Sequence, residues 1–210
     1  MESLRASGAT SSTVEETVEA LRRGEPVVLP TDTVYGLAAM PYREDVVQRL
    51  YELKGRDASQ AMAIVAVSIE LLFECIPELR GRTGTVARAL LPGPFTLVVP
   101  NPARRYRWLT GSSPGTLGVR VPELTGPALA VLQAVGAVAA TSANLPGGTD
   151  PARLGDVAEE LRAGCGAALD GGELPGKPST VIDLTPTGPR VIREGIVPEA
   201  EALALVASAS

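Results

Sequence analysis

Residues 27–37 run Val27-Val28-Leu29-Pro30-Thr31-Asp32-Thr33-Val34-Tyr35-Gly36-Leu37, and this stretch constrains the fold more than any other. Val27-Val28-Leu29 lacks the alternation of a half-exposed strand, so it is expected as a strand covered on both faces. Pro30 ends the run because proline has no N–H to give the ladder. Two hydroxyls and a carboxylate follow at once. In α/β proteins such a strand end is where ligand groups sit, since the sheet holds the backbone while the loop faces a crevice. The same residues also suit the N-cap of a helix beginning near Val34.

A second strand end repeats the pattern. Val138-Ala139-Ala140 runs into Thr141-Ser142-Ala143-Asn144, again apolar and then hydroxyls and an amide. Two such ends point to one shared crevice. Helical spacing predicts helices over 13–23, 44–54, 68–75, 83–91, 126–135, 153–162 and 199–207. Short apolar runs at 62–67, 95–99, 117–121, 167–169, 179–184 and 190–193 predict strands. Neither an internal repeat nor a domain-separating linker is evident. The expectation is a polar, flexible tail over 1–12 and one α/β domain over 13–210.

Composition removes whole mechanisms. The 210 residues include no histidine, so a Ser-His-Asp triad and histidine-based zinc are out. Gly111-Ser112-Ser113-Pro114-Gly115 fits the nucleophile-elbow pattern but has no histidine partner, and Pro114 would spoil the following helix. Gly171, Gly176 and Lys177 match a phosphate-loop pattern up to Pro178, which brings neither a hydroxyl nor an N–H. Both are read as loops. Cys75 and Cys165 stand alone, so no disulfide framework is expected and a reducing, cytoplasmic setting fits. No apolar segment approaches bilayer length, so no membrane association is expected. The net charge is −5, so an RNA contact would have to be a local patch.

Candidate ligand groups are few. Lys54 and Arg56 flank Gly55 at an expected helix end, where cations either complement the helix dipole or build an anion site. Arg104, Arg105 and Arg107 surround Tyr106 and Trp108, a solvated loop or a nucleic-acid contact. Arg120 falls inside an expected strand and needs a partner if it faces inward.

Read together, residues 30–37, Lys54-Gly55-Arg56, Pro92-Gly93-Pro94-Phe95-Thr96, Arg120-Val121-Pro122, Thr141-Ser142-Ala143-Asn144, Ser179-Thr180-Val181-Ile182-Asp183 and Arg193-Glu194-Gly195 occur in the order of the YrdC-like family. The chain resembles the short, single-domain form of these L-threonylcarbamoyladenylate synthases over residues 14–197. The resemblance implies a twisted mixed sheet flanked by helices, with a positively lined concave crevice. It implies a nucleotidyltransferase that makes threonylcarbamoyl-AMP and pyrophosphate from L-threonine, bicarbonate and ATP. Mg²⁺ would arrive with ATP, with no protein metal site. A threonylcarbamoyl transferase complex would carry the group to tRNA, and tRNA contact is a further expectation. By the same resemblance Lys54 and Arg56 would serve catalysis. Thr33, Arg120, Thr141 and Thr180 would bind threonine, with Arg120 on its carboxylate. Lys54, Arg56, Gln60, Ser142, Asn144 and Arg193 would bind ATP.

The family pattern is broken after Arg56, where the chain continues Asp57-Ala58-Ser59-Gln60-Ala61-Met62. Asp57 sets a negative charge beside the cation pair, which weakens an anion site unless the carboxylate points away. The alternatives within reach of the same residues are a non-catalytic RNA-binding module and a carbamoyl transferase.

Overall fold

The computed structural model describes residues 11–209. The chain opens with helix α1 (Val14–Arg23). Thr13 and Glu16 form a reciprocal capping box there, and Gly24 closes the helix in the left-handed conformation. Strands β1 (Val27–Pro30) and β2 (Tyr35–Ala39) then pair antiparallel. The segment after Val34 is therefore a strand, and Thr31-Asp32-Thr33 is a hairpin turn rather than a helix cap. Helix propensity lost there because Tyr35-Gly36-Leu37-Ala38-Ala39 can be covered on both faces, and all five are buried.

Helix α2 (Glu44–Lys54) leads to β3 (Ala63–Ala66), α3 (Ile69–Cys75) and α4 (Gly81–Leu90). Strands β4 (Phe95–Pro100) and β5 (Thr116–Arg120) flank the basic-aromatic loop, which carries a single 3-10 turn at Arg107–Leu109. Helix α5 (Gly126–Val135) and β6 (Ala137–Ser142) follow. The helix expected over 153–162 is broken. A 3-10 turn at Leu154–Asp156 precedes the short helix α6 (Glu159–Ala163). The Asp156 carboxylate accepts from the backbone N–H of Ala152 and Arg153, capping that turn, and the chain leaves helical geometry at Val157 and Ala158, whose ψ angles are 126° and 138°. Strands β7 (Ala167–Ala168), β8 (Thr180–Asp183) and β9 (Arg190–Arg193) and helix α7 (Glu199–Ser208) complete the order.

Among the described residues the nine strands form one mixed sheet, ordered β7-β1-β2-β6-β3-β5-β4-β8-β9. Its pleat divides the apolar runs between two layers. Val28, Leu37, Ile64, Leu97 and Val119 join the larger core, with Leu50 and Tyr51 of α2 and Val86 of α4. Val27, Leu29, Ala38, Val65 and Val138 face a smaller one, with Leu21 of α1 and Val131 of α5. Coverage on both faces is why β1 reads as an unbroken apolar run.

Of the tail expected over 1–12, residues 1–10 lie outside the described residues. Ser11 and Ser12 are tied down: Ser12 N–H donates to Ala168 O at 2.8 Å, and the Ser11 hydroxyl accepts from Asp170 N–H at 3.1 Å. They extend the hydrogen bonding beside β7. No helix among the described residues is long and apolar enough to cross a membrane.

Candidate active site

The hairpin turn between β1 and β2 is organised by Thr31. Its Oγ accepts from the N–H of Thr33 and of Val34, both at 3.2 Å, and donates to Val34 O at 2.7 Å. With that proton committed, the 3.0 Å contact between the two threonine hydroxyls has Thr33 as donor. Thr33 Oγ also accepts from Arg120 Nη2 at 2.8 Å. The same Nη2 donates to the Asp32 carboxylate, which further accepts from Glu123 N–H at 3.1 Å.

On the far side, α2 ends at Lys54 because Gly55 turns left-handed, with φ of +61°. Lys54 is buried at 5% exposure. Its Nζ donates to the backbone oxygen of Ser142, and lies 3.0 Å from Asn144 Oδ1 and 3.3 Å from the hydroxyls of Thr141 and Ser142. Arg56 reaches the Thr141 hydroxyl at 2.5 Å and Ala61 O at 2.9 Å. Arg193 approaches from β9 and donates to Ser179 O at 2.9 Å.

Between these walls lies a cleft of about 480 Å³. Lys54, Arg56, Arg120 and Arg193 all line it, with Gln60, Thr141, Ser142 and Asn144, and among the described residues no carboxylate does. Its floor is small or apolar, including Gly36 opposite Ser142 in the β2–β6 ladder. A Cβ on Gly36 would come within 3.2 Å of Thr141 O, crowding the strand end that carries the polar residues.

The cations repel one another in a partly dry site. Burial pushes the Lys54 ammonium down from 10.5 to about 8, and the Arg56 and Arg193 charges push the same way, with Asp150 opposing. Burial also lowers Arg56 and Arg193 below the usual guanidinium range. Nε of Arg56 and Nε of Arg120 are buried with no hydrogen-bond partner among the described residues. Nε of Arg162, outside the cleft, is in the same state.

Eight of the ten expected site residues meet at this cleft; Thr33 and Thr180 do not line it. Thr33 is fully buried behind the turn and touches the cleft lining through Arg120 and Thr31. Thr180 is fully buried as well. Its hydroxyl donates to Val197 O at 2.6 Å and accepts from the N–H of Gly195 and Val197. Thr180 thus anchors the segment after β9. Asp57 is exposed and accepts from Ser59 N–H at 2.7 Å, a bond that lowers its pKa and shapes its own turn. Its carboxylate makes no ion pair with Arg56.

Two contributors were not among the residues expected to bind substrate. Thr31 lines the cleft and shapes the turn; a Thr two residues before another polar residue after a strand is a turn signature that marks it. Asp150 acts electrostatically on Lys54 and Arg193 from a loop with no pattern to single it out.

Fold and site together define a mixed α/β protein with a cleft lined by four cationic side chains. Residues 19–195 match the Sua5/YciO/YrdC family model, described as "Telomere recombination", and the chain belongs to that family. It is 36% identical over 179 residues to the threonylcarbamoyl-AMP synthase of Pyrococcus abyssi, covering 85% of this chain and 52% of that protein. The chain therefore spans about half the length of that relative. Among solved structures, P. abyssi Sua5 complexed with L-threonine superposes with a TM-score of 0.82 at 35% identity, covering 91% of this chain and 56% of the other. E. coli YciO gives 0.79 at 25% identity, with 90% and 92% covered.

Proposed function

We propose that the protein is a threonylcarbamoyl-AMP synthase. One observation carries this reading: among the described residues, four cationic side chains and no carboxylate line a single cleft in a chain whose net charge is −5. Such a lining suits a ligand with several negative charges. The named relative and the threonine-bound Sua5 structure supply the substrate class.

In this reading the amine of L-threonine takes up bicarbonate as a carbamate, losing water. A carbamate oxygen attacks the α-phosphate of ATP, and pyrophosphate leaves. Charge builds on the phosphate and on the leaving group, and the protein's task is to place the reactants and neutralise that charge. Arg56 and Arg193 take the phosphates, and Ser142 and Asn144 orient the nucleotide. Lys54 holds the β6 strand end together and adds its charge. Arg120 takes the threonine carboxylate. Mg²⁺ enters with ATP as the counter-ion of its phosphates, because the lining offers hydroxyls and amides but no carboxylate to hold it. The product is a mixed anhydride, so a transferase acting on tRNA is its natural consumer.

The deciding assay is pyrophosphate release from ATP, with and without L-threonine and bicarbonate. Release should need all three and drop in Lys54→Ala. Release that ignores threonine, or RNA binding indifferent to ATP with no release at all, overturns the reading.

A further inference from the structure

The Asp32–Arg120 pair joins parts of the fold that are not neighbours. Asp32 sits in the turn after β1, and Arg120 ends β5. In the sheet order β2, β6 and β3 lie between those strands. The pair is thus a contact between segments of the sheet that three strands separate. Both side chains are nearly buried, with 9% of Arg120 and 10% of Asp32 exposed. Asp32 does not line the cleft, whereas Arg120 does. The carboxylate is itself held from behind by Glu123 N–H.

A guanidinium is a rigid planar fork, so fixing one nitrogen fixes the others. Here Nη2 is held twice, by Asp32 and by Thr33. Nε is left buried without a partner among the described residues. We propose that Asp32 is a positioning residue for the amino-acid end of the cleft: with Thr33 it pins Arg120 through Nη2 and so presents the remaining guanidinium N–H groups to the substrate's carboxylate. The inference rests on the proposed synthase reading, and it gives roles to two residues that do not line the cleft.

Charge alone argues the opposite way. Asp32 neutralises Arg120, so removing its charge would strengthen the pull on a substrate carboxylate. Positioning demands that removal weaken binding, because an unpinned guanidinium loses its fixed geometry. The two views therefore predict opposite signs for one substitution.

The test is Asp32→Asn, which loses the charge and keeps one acceptor oxygen, enough for Arg120 or for Glu123 N–H but not for both. Its partner variant is Thr33→Val, which keeps the charge pair and removes the second acceptor. The KM for L-threonine should rise about tenfold in Asp32→Asn and about threefold in Thr33→Val, with kcat and the KM for ATP within about twofold. A merely structural role would lower the melting temperature and move both KM values together, which overturns the proposal. An unchanged or lower threonine KM overturns it also. Calorimetric titration of L-threonine into the wild-type protein separates this from the parent reading. If the wild type binds no threonine, the synthase reading fails. If wild type and both variants bind it equally, only the positioning role fails. Should Asp32→Asn not fold, Thr33→Val decides alone.

Discussion

Lys54 Nζ and Asn144 Oδ1 lie 3.0 Å apart although 90 positions separate them in the chain. This contact joins the end of α2 to the polar segment after β6, so that both line one cleft. The Ser142 hydroxyl completes the cluster, donating to the same Oδ1 at 2.6 Å.

Lys54→Met should separate activity from stability. The depressed pKa, from 10.5 to about 8, means that folding works against the charged form. The shift corresponds to about 3 kcal/mol of unfavourable burial at neutral pH. Methionine relieves it but strands Ser142 O, which costs about 1–3 kcal/mol. The melting temperature should stay within about 5 °C, while pyrophosphate release falls about a hundredfold. Equal loss of both would sink the idea.

The same lysine gives a pH signature. Between pH 8 and 10.5 the unfolded chain keeps the Lys54 proton and the folded chain has released it. The unfolded state then binds more protons, so this group's contribution to stability rises with pH across that window. Activity should fall over the same window if the ammonium is needed, with an apparent pKa near 8. Denaturant midpoints at pH 7 and 9 for wild type and Lys54→Met, beside a pH–rate profile, measure both slopes.

Thr180→Val should act on the fold and leave substrate affinity alone. The hydroxyl has three backbone partners and no exposure. Its loss leaves buried groups unpaired, for a destabilisation of about 2 kcal/mol. A threonine KM that rises without a fall in melting temperature would place Thr180 at the ligand after all.

Tyr35→Phe should loosen the glycine-rich loop after β7. The phenol accepts from Gly171 N–H at 2.9 Å and sits within hydrogen-bond distance of Asp170 Oδ1 and Gly172 O. Burial pushes its pKa up to about 12, so the bond holds across ordinary pH. Amide exchange at Gly171 should speed up by at least about tenfold, matching the loss of about 1.4 kcal/mol or more. Unchanged protection there would show that the loop is held by other contacts.

Asp57→Ala should change pyrophosphate release by less than about twofold, because the carboxylate serves its own turn and not Arg56. A clear gain in ATP affinity would show that its charge does reach the cleft.

Much of this was legible in the chain. The α2 period and Gly55 placed Lys54 and Arg56 at a helix end, where the structure has them. Absence of histidine removed several mechanisms outright. The hairpin at residues 31–34 was not legible, since threonine and aspartate serve turns and helix caps equally well. Residues 153–162 carried a helical period that extended backbone at Val157 and Ala158 interrupts, with Val157 buried in the larger core. Thr180 was placed at the ligand by its motif, yet in the fold its hydroxyl faces the chain after β9.

What the sequence determined on its own was local: buried runs, helix ends, and which polar groups follow them. These depend on side chains a few residues apart, and periodicity reports them directly. Which of those groups face one another was decided by tertiary structure. Strand order set Asp32 behind Arg120 and left Asp57 facing its own turn, because contacts between distant segments follow from how the two cores pack the sheet, and no short stretch encodes that.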